Sequence, residues 1–502
     1  MVSILRTRVS RISNAVIFFA LALVQIVIVS WISISQEAKP EFLEFQWITQ
    51  WHFLGFYISI NPMADPRFTV LLIVLTAGLQ LLLLGFLVNV VFSNKNMVQI
   101  YPEPLYGPSY APEEAPLVDK TIELVTRVSK KVRIKVKKIF VYRKAVPNAF
   151  SLDLLPIPFF RRPYLVLNTN VLEILNDNEI EAVIAHELAH VKNSDSLIRL
   201  ILSIPRLFLN LVYIFIYLQI VTGILVAIFD TFNPGIALER VIFLGLMYLI
   251  IAIVTKITVH FLSSANRQAE YLADYFAATL VGSDVLINSL IHLGQRSETM
   301  QVLSREIEWL ASLSEEKKPS STFLGRIYQR FPKTQLNEDV AREIAPKIFL
   351  EEKLEELVTH YGIDLDIGER IQLVNRAVPV LLKKRAKYFI SLEKKREKEN
   401  EVDLTPSILK AKTIDWRHFD YNASQTLEDE EIESFIATLI AQPDKMVFEH
   451  ELFQTPEKDG DHPNFRERIL RIFRIFHLNE YEKIVEQIAS EIPSKVVSDS
   501  QS

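Results

Sequence analysis

Four apolar runs, Ala15–Ser35, Phe68–Phe92, Leu207–Phe229 and Val241–Leu262, constrain this chain more than any other feature. A helix needs about 20 residues to cross the hydrocarbon core of a bilayer, and each run reaches that length. The sequence therefore predicts a predominantly α membrane protein with four transmembrane helices. Hydrophobic residues fill 49% of the 502 positions, high for a wholly soluble chain. The first run exceeds the apolar core of a secretory signal, and "SWISISQEAKP" offers no small-x-small cleavage site, so it reads as a retained anchor. The third and fourth runs form a hairpin around "DTFNPGIALE"; the alternative is a pair of buried core helices.

Lys and Arg in the short flanks set the orientation. Arg6, Arg8 and Arg11 precede the first run, whereas the segment Gln36–Arg67 holds only Lys39 and Arg67 against Glu37, Glu41, Glu44 and Asp65. That segment is expected outside. The cation-dense "VSKKVRIKVKKIFVYRK", the long charged remainder and both termini are expected in the cytoplasm, which makes this a multi-pass protein of the cell membrane. A formal charge of −5 gives no sign of nucleic-acid binding. The absence of cysteine excludes disulfides, thiol catalysis and thiolate metal sites, so any metal must be held by His, Asp or Glu.

Between the runs, "YPEPLYGPSYAPEEAP" is an extended or turn-rich linker, because each proline disfavours helix in the residue before it. "KKIFVY", "NAFSL" and "YLVLN" are short β-prone runs that predict a small antiparallel sheet, and helix dominates from Asn176 onward. The expected organisation is a two-span anchor over 1–92, the first half of a catalytic domain over 93–206, and a transmembrane hairpin over 207–262. A third-ligand helix over 263–297, a helical charged insertion over 298–455 and a C-terminal segment and tail over 456–502 complete it. The insertion carries no catalytic motif; its basic run "KKRAKYFISLEKKREKE" reads as a solvated face, with anionic lipid as the alternative contact.

Chemistry concentrates in "VIAHELAHVKNSD", Val183–Asp195. By chance His-Glu-x-x-His arises in about one sequence in a hundred of this composition, so context has to raise it. Asn176 followed by Glu179 is a capping-box start, and "EIEAVIAHELAH" continues in strong helix formers. Spacing of four places His186 and His190 on one helix face, where both imidazoles reach one metal ion, with Glu187 adjacent to act on the hydrolytic water. A catalytic zinc ion needs a third protein ligand, and Glu270 in "NRQAEYLADYFAA" is the candidate. Asp274, one turn later, would accept the free N–H of a zinc-binding histidine. Standing alone, that stretch would read as an exposed helix with an Arg267–Glu270 ion pair. The two predicted crossings between His190 and Glu270 return the latter to the same side of the membrane.

The stretches "VPNAF" (Val146–Phe150), "HELAHVKNSD", "NRQAEYLAD" and "HPNFRERI" (His462–Ile469), in this order, resemble the HtpX-type membrane zinc metallopeptidases, the group that also contains the CAAX prenyl proteases. The resemblance covers roughly residues 1–297 and 456–475 and leaves out the helical region between, which is longer than expected for HtpX. It implies a zincin-like α+β catalytic domain with one Zn2+ per chain, acting at the cytoplasmic face on misfolded or surplus membrane proteins. It also implies that His462 sits beside the metal as a further catalytic group, with Arg468 orienting its imidazole, the alternative being that the His-Pro turn is only a helix entry. Two spans on each side of the catalytic helix argue against a CAAX substrate.

Three further expectations complete the reading. Asn148, after a proline at the start of an edge-strand candidate, would bind substrate main chain, the alternative being a turn cap. The loop "LLPIPFFRRP" would dip Phe159 and Phe160 into the headgroup region with Arg161 and Arg162 on phosphate, unless it packs on the protein itself. The partners expected are polypeptide substrates and the lipid bilayer, and no nucleic acid. The competing functions are a signal-transducing membrane metallopeptidase, disfavoured because no outside loop is large, and an inactive membrane scaffold.

Overall fold

The most apolar of the β-prone runs, "PYLVLN", takes the middle of a sheet rather than its edge, and that placement organises the fold. The computed structural model describes residues 2–34, 50–53, 56–59, 97–104, 110–143, 147–153, 163–196, 234–313, 338–362, 364–400, 412–448 and 463–499, with a few isolated positions between them. Its strands are β1 (Gln50–Phe53), β2 (Phe56–Ser59), β3 (Met97–Tyr101), β4 (Lys138–Tyr142), β5 (Ala149–Asp153) and β6 (Pro163–Asn168). The longer helices are α1 (Val2–Ile34), α2 (Ala115–Val132), α3 (Thr169–Ile174), α4 (Asp177–Lys192), α5 (Pro234–Val281) and α6 (Ser283–Leu313). They continue with α7 (Glu338–Tyr361), α8 (Ile367–Asn400), α9 (Asp429–Ala441), α10 (Phe465–Phe476) and α11 (Leu478–Asp499).

Strands β1 and β2 form a separate hairpin, and the remaining four run in the order β3-β4-β6-β5. β3 pairs with β4 and β5 with β6 antiparallel, but β4 and β6 are parallel, with Ile139 opposite Leu165 and Phe140 opposite Val166. The expectation of an antiparallel sheet is thus corrected to a mixed one. Leu165, Val166 and Leu167 are fully buried, so β6 must be covered on both faces and flanked on both sides. That forces β5 outward, where it becomes the edge beside α4. One face of the sheet packs on α2, whose Val118, Thr121, Leu124, Val125, Val128 and Val132 follow helical spacing, and on α4.

The expectation of four transmembrane helices is overturned: among the described residues, no helix is long and apolar enough to cross a membrane. The two helices that carry the first and fourth runs also turn polar groups inward, most of them just beyond the runs. Thr7 and Arg11 of α1 are buried, and Asn14 donates to Ser264 of α5 at 2.9 Å. α5 likewise buries Thr258, Asn266, Glu270 and Asp274. Both helices therefore pack into the body of the protein, with Phe18 against Leu262. The runs Phe68–Phe92 and Leu207–Phe229 lie almost wholly outside the described residues, as does the loop holding Phe159 to Arg162.

The stretch expected as one insertion packs in two places. Met300, Trp309 and Leu310 of α6 form a small core with Ala345, Ile348 and Leu381 of α7 and α8. Residues 412–448 instead join the main core, burying Trp416, Leu427, Phe435, Leu439 and Phe448 against α6 and α10. Here Gly294 of α6 lies flat under the Phe448 ring, which occupies the space a Cβ would need. Phe448 is itself buried and cannot retreat without opening the core. Gly294→Ala should therefore destabilise the protein by about 1–3 kcal/mol through overpacking. Chemical denaturation checks this against Gly245→Ala, where nothing lies within 4 Å and little change is expected.

Candidate metal centre

α4 begins as the sequence predicts. Asn176 Oδ1 accepts the Glu179 N–H and Glu179 Oε2 accepts the Asn176 N–H, both at 3.0 Å, closing a capping box. Ile180, Ala182, Ile184, Ala185, Leu188 and Ala189 then bury most of the helix and leave one polar face. On that face His186 and His190, one turn apart, bring their Nε2 atoms to 3.2 Å. From α5, Glu270 reaches between them: its Oε2 lies 3.4 Å from His186 Nε2 and its Oε1 3.7 Å from His190 Nε2. Glu270 is 1% exposed, which rules out the exposed-helix alternative. Arg199 stands 3.5 Å from its Oε1.

Each imidazole is held from behind by a carboxylate, and each carboxylate by an arginine. His186 Nδ1 lies 3.0 Å from Asp274 Oδ1, and Arg468 of α10 donates to both oxygens of Asp274 at 2.9 and 2.6 Å. His190 Nδ1 lies 2.6 Å from Asp195 Oδ2, and Arg11 of α1 pairs with Asp195 Oδ1 at 2.5 Å. A carboxylate behind Nδ1 keeps a proton there and leaves Nε2 as a lone pair. Two lone pairs facing at 3.2 Å repel unless a cation, either a proton or a metal ion, comes between them and the ring of acidic groups. The donor set of two imidazoles and a carboxylate fits a divalent metal.

Burial works against the charged form of His186, but Asp274 and Glu270 outweigh it and raise its pKa to about 10. Asp274 moves the other way: burial favours its neutral form, yet Arg468 and His186 lower it to about 2. Arg468 is desolvated too, and the carboxylates of Asp274, Glu270 and Glu187 hold its charge in place.

Glu187 joins His186 and His190 in a group whose potential ligand atoms all lie within 4.8 Å of one another. Its carboxylate is anchored on the other side. Ser151 of the edge strand β5 donates its N–H to Glu187 Oε2 and its hydroxyl to the Glu187 carbonyl, both at 2.9 Å. The structure thus gathers His186, Glu187, His190, Glu270, Asp274 and Arg468. Arg468 grips Asp274, a partner the sequence reading did not assign to it, while His462 lies outside the described residues. Asn148 is exposed just before β5, and its carbonyl accepts the Asn168 N–H at 3.0 Å.

Three participants escaped the sequence reading: Asp195, Arg11 and Ser151. Asp195 had a signal, because two metal-binding histidines need two acceptors and only Asp274 had been supplied. Arg11, far off in sequence, had none.

A helix carrying His-Glu-x-x-His with a glutamate from a second helix defines the class of metallopeptidase-like centres. Residues 117–322 match the family model described as Peptidase family M48. The chain is similar to Protease HtpX of Psychrobacter sp. (strain PRwf-1), 28% identical over 181 residues, which are 34% of this chain and 52% of that protein. It is also similar to a Protease HtpX homolog of Campylobacter concisus (strain 13826), 32% identical over 32% of this chain and 51% of that protein. A third relative, the homolog of Caldanaerobacter subterraneus, is 28% identical over 36% of this chain and 58% of that protein. The chain spans about half the length of these curated relatives. No solved structure matches it. The resemblance to HtpX-type metallopeptidases carried by the motifs is thereby shown.

Two predictions follow from the paired arginines and from His186. Arg11→Ala and Arg468→Ala should each weaken metal affinity about 10–100-fold, read by competition with a chromophoric chelator. His186 must shed its proton to bind a metal, and its raised pKa keeps that proton on at neutral pH. Between about pH 7 and 9 each metal bound should release about one proton, and affinity should rise up to about tenfold per pH unit; calorimetry in buffers of different ionisation enthalpy measures the proton count.

Proposed function

We propose that this protein is a zinc-dependent endopeptidase, attached to a membrane, that hydrolyses misfolded or surplus membrane proteins at the cytoplasmic face. The observation that carries the reading is the triangle of His186, His190 and Glu270. Zinc bonds of about 2.0–2.2 Å in a tetrahedron set ligand atoms about 3.3–3.5 Å apart. The imidazole Nε2 atoms here are 3.2 Å apart, and the two carboxylate oxygens of Glu270 lie 3.4 Å from one and 3.7 Å from the other. These distances favour Glu270 as the third ligand and leave Glu187, tied back by Ser151, for proton transfer. A zinc ion held there would polarise the scissile carbonyl and make water acidic enough to attack near neutral pH.

The chain's own residues supply the rest. Glu187 Oε2 is held by the Ser151 N–H, so Oε1 is the oxygen left to take the proton of the attacking water and pass it to the departing amine. Asp274 and Asp195 fix the tautomers of His186 and His190, and each of these carboxylates is paired in turn with an arginine. β5 offers an edge along which a peptide can lie in extended form, with Asn148 at its start to hold substrate main chain. Among the described residues of α1, Leu5, Val9, Ile12 and Val16 are 58% exposed or more and recur at helical spacing, which supports lipid contact along that face.

Glu187→Gln should keep its metal and lose about 10²–10⁴-fold in peptidase rate. Metal analysis alongside casein cleavage, with and without a chelator, checks both halves. Cleavage at the wild-type rate by the metal-loaded Gln variant would remove Glu187 from the mechanism. Flotation with anionic vesicles tests the membrane attachment separately.

A further inference from the structure

Away from the metal centre, the segment Asp420–Glu431, "DYNASQTLEDEE", spaces oxygen-bearing side chains at its first, third, fifth, ninth and twelfth positions: Asp420, Asn422, Ser424, Glu428 and Glu431. With the main-chain carbonyl of the seventh, Thr426, these are the positions from which a 12-residue calcium loop draws its ligands, ending on a glutamate that binds through both oxygens. The sixth position of such a loop makes a sharp turn that calls for glycine. Here it is Gln425, held at φ 66° in the left-handed region. Leu427, at the eighth position, is 2% exposed, and α9 begins at the tenth, Asp429. A run of acidic residues would not by itself place six donors in this register.

A second observation comes from burial rather than spacing. Glu431 is 6% exposed, yet no cation faces it among the described residues. Its Oε1 accepts the Tyr421 N–H at 2.8 Å and its Oε2 the Glu428 N–H at 2.9 Å, both neutral donors. An ionised carboxylate withdrawn from water without a countercharge is unfavourable, and buried charges are ordinarily paired or bound to a metal. The capping box that Glu431 forms with Glu428 could be made as well by an exposed side chain, so it does not account for the burial.

The loop is also fastened to the catalytic body. The side-chain amide of Asn288 in α6 donates to the Leu427 carbonyl at 2.9 Å and accepts the Leu427 N–H at 2.8 Å. His292, one turn on, pairs Nε2 with the Gln425 carbonyl at 2.7 Å and Nδ1 with Glu179 Oε1 at 3.0 Å. Glu179 is the capping glutamate of α4, the helix that carries His186 and His190.

We propose that Asp420, Asn422, Ser424, the Thr426 carbonyl, Glu428 and Glu431 bind one calcium ion, whose occupancy holds residues 412–448 against α6 and the start of α4. Three carboxylates among the donors and a serine at the fifth position suit a dissociation constant of about 10⁻⁵–10⁻³ M. The inference stands apart from the peptidase reading, since it uses none of the residues of that centre.

The test uses the full chain with its catalytic metal loaded and calcium removed. Calcium chloride should raise Tm saturably, with a midpoint near about 10⁻⁵–10⁻³ M, and equilibrium dialysis should count one ion per chain; magnesium should do much less at equal concentration. Glu431→Gln and Asp420→Asn should each weaken the response at least about tenfold, while their circular dichroism without calcium matches wild type. Glu433→Gln, on the exposed side of α9, should respond as wild type does. Should Glu431→Gln fail to fold, Asp420→Asn decides alone. No calcium response in the wild type up to about 10 mM, an equal response to magnesium, or unaltered responses in the variants would overturn the proposal.

Discussion

Two imidazole nitrogens held 3.2 Å apart, close enough to demand a proton or a metal ion beside them, are the constraint on which the rest of this structure depends. Neighbouring histidines on a helix would ordinarily turn away from one another. Here they cannot, because Asp274 fixes one ring from behind and Asp195 the other. Those carboxylates are buried, so each needs an arginine, and the arginines come from opposite ends of the chain. Arg11 lies in the first helix and Arg468 in α10. Closing the centre therefore requires that both ends pack on α5, which Thr7, accepting from Arg471 at 2.5 Å, and Asn14, bonded to Ser264, help to secure.

The same centre explains why the sheet has an edge where it does. Placing the doubly buried β6 in the interior leaves β5 with one unpaired side. On that side Ser151 fastens the strand to Glu187 through both its main chain and its hydroxyl. The edge strand is thus locked in register with the Glu187 carboxylate. A slip of one residue would turn Ser151 away and present a neighbour's side of the strand instead.

The region between α6 and α10 serves two mechanical ends. α7 and α8 pack on the far part of α6 around Trp309 and form their own small core. Residues 412–448 fold back on the main core, where Asn288 and His292 link their loop to Glu179 at the start of α4. A disturbance in that loop thus has a short polar route to the helix bearing the histidines.

The sequence by itself determined what is local: the capping box at Asn176 and Glu179, the helix through the His-Glu-x-x-His motif, and the one-turn spacings of His186 to His190 and of Glu270 to Asp274. These depend on hydrogen bonds and periodicities spanning four residues or fewer, which a linear chain displays. Helix spacing likewise made Glu270 legible as a candidate, and the motifs in order carried the resemblance to HtpX-type peptidases. Strand order was decided in three dimensions, because antiparallel and mixed sheets draw on the same short apolar runs and differ only in which strand must be buried twice. The apolar stretches misled because hydropathy counts apolar residues without regard to what covers them, whereas Phe18 and Leu262, from two of those runs, are buried against each other. Arg11 behind Asp195, Arg468 on Asp274 and Ser151 on Glu187 join residues 184, 194 and 36 positions apart. Only tertiary packing brings such groups together, since separations of this length leave no local hydrogen bond or periodicity for a linear chain to display.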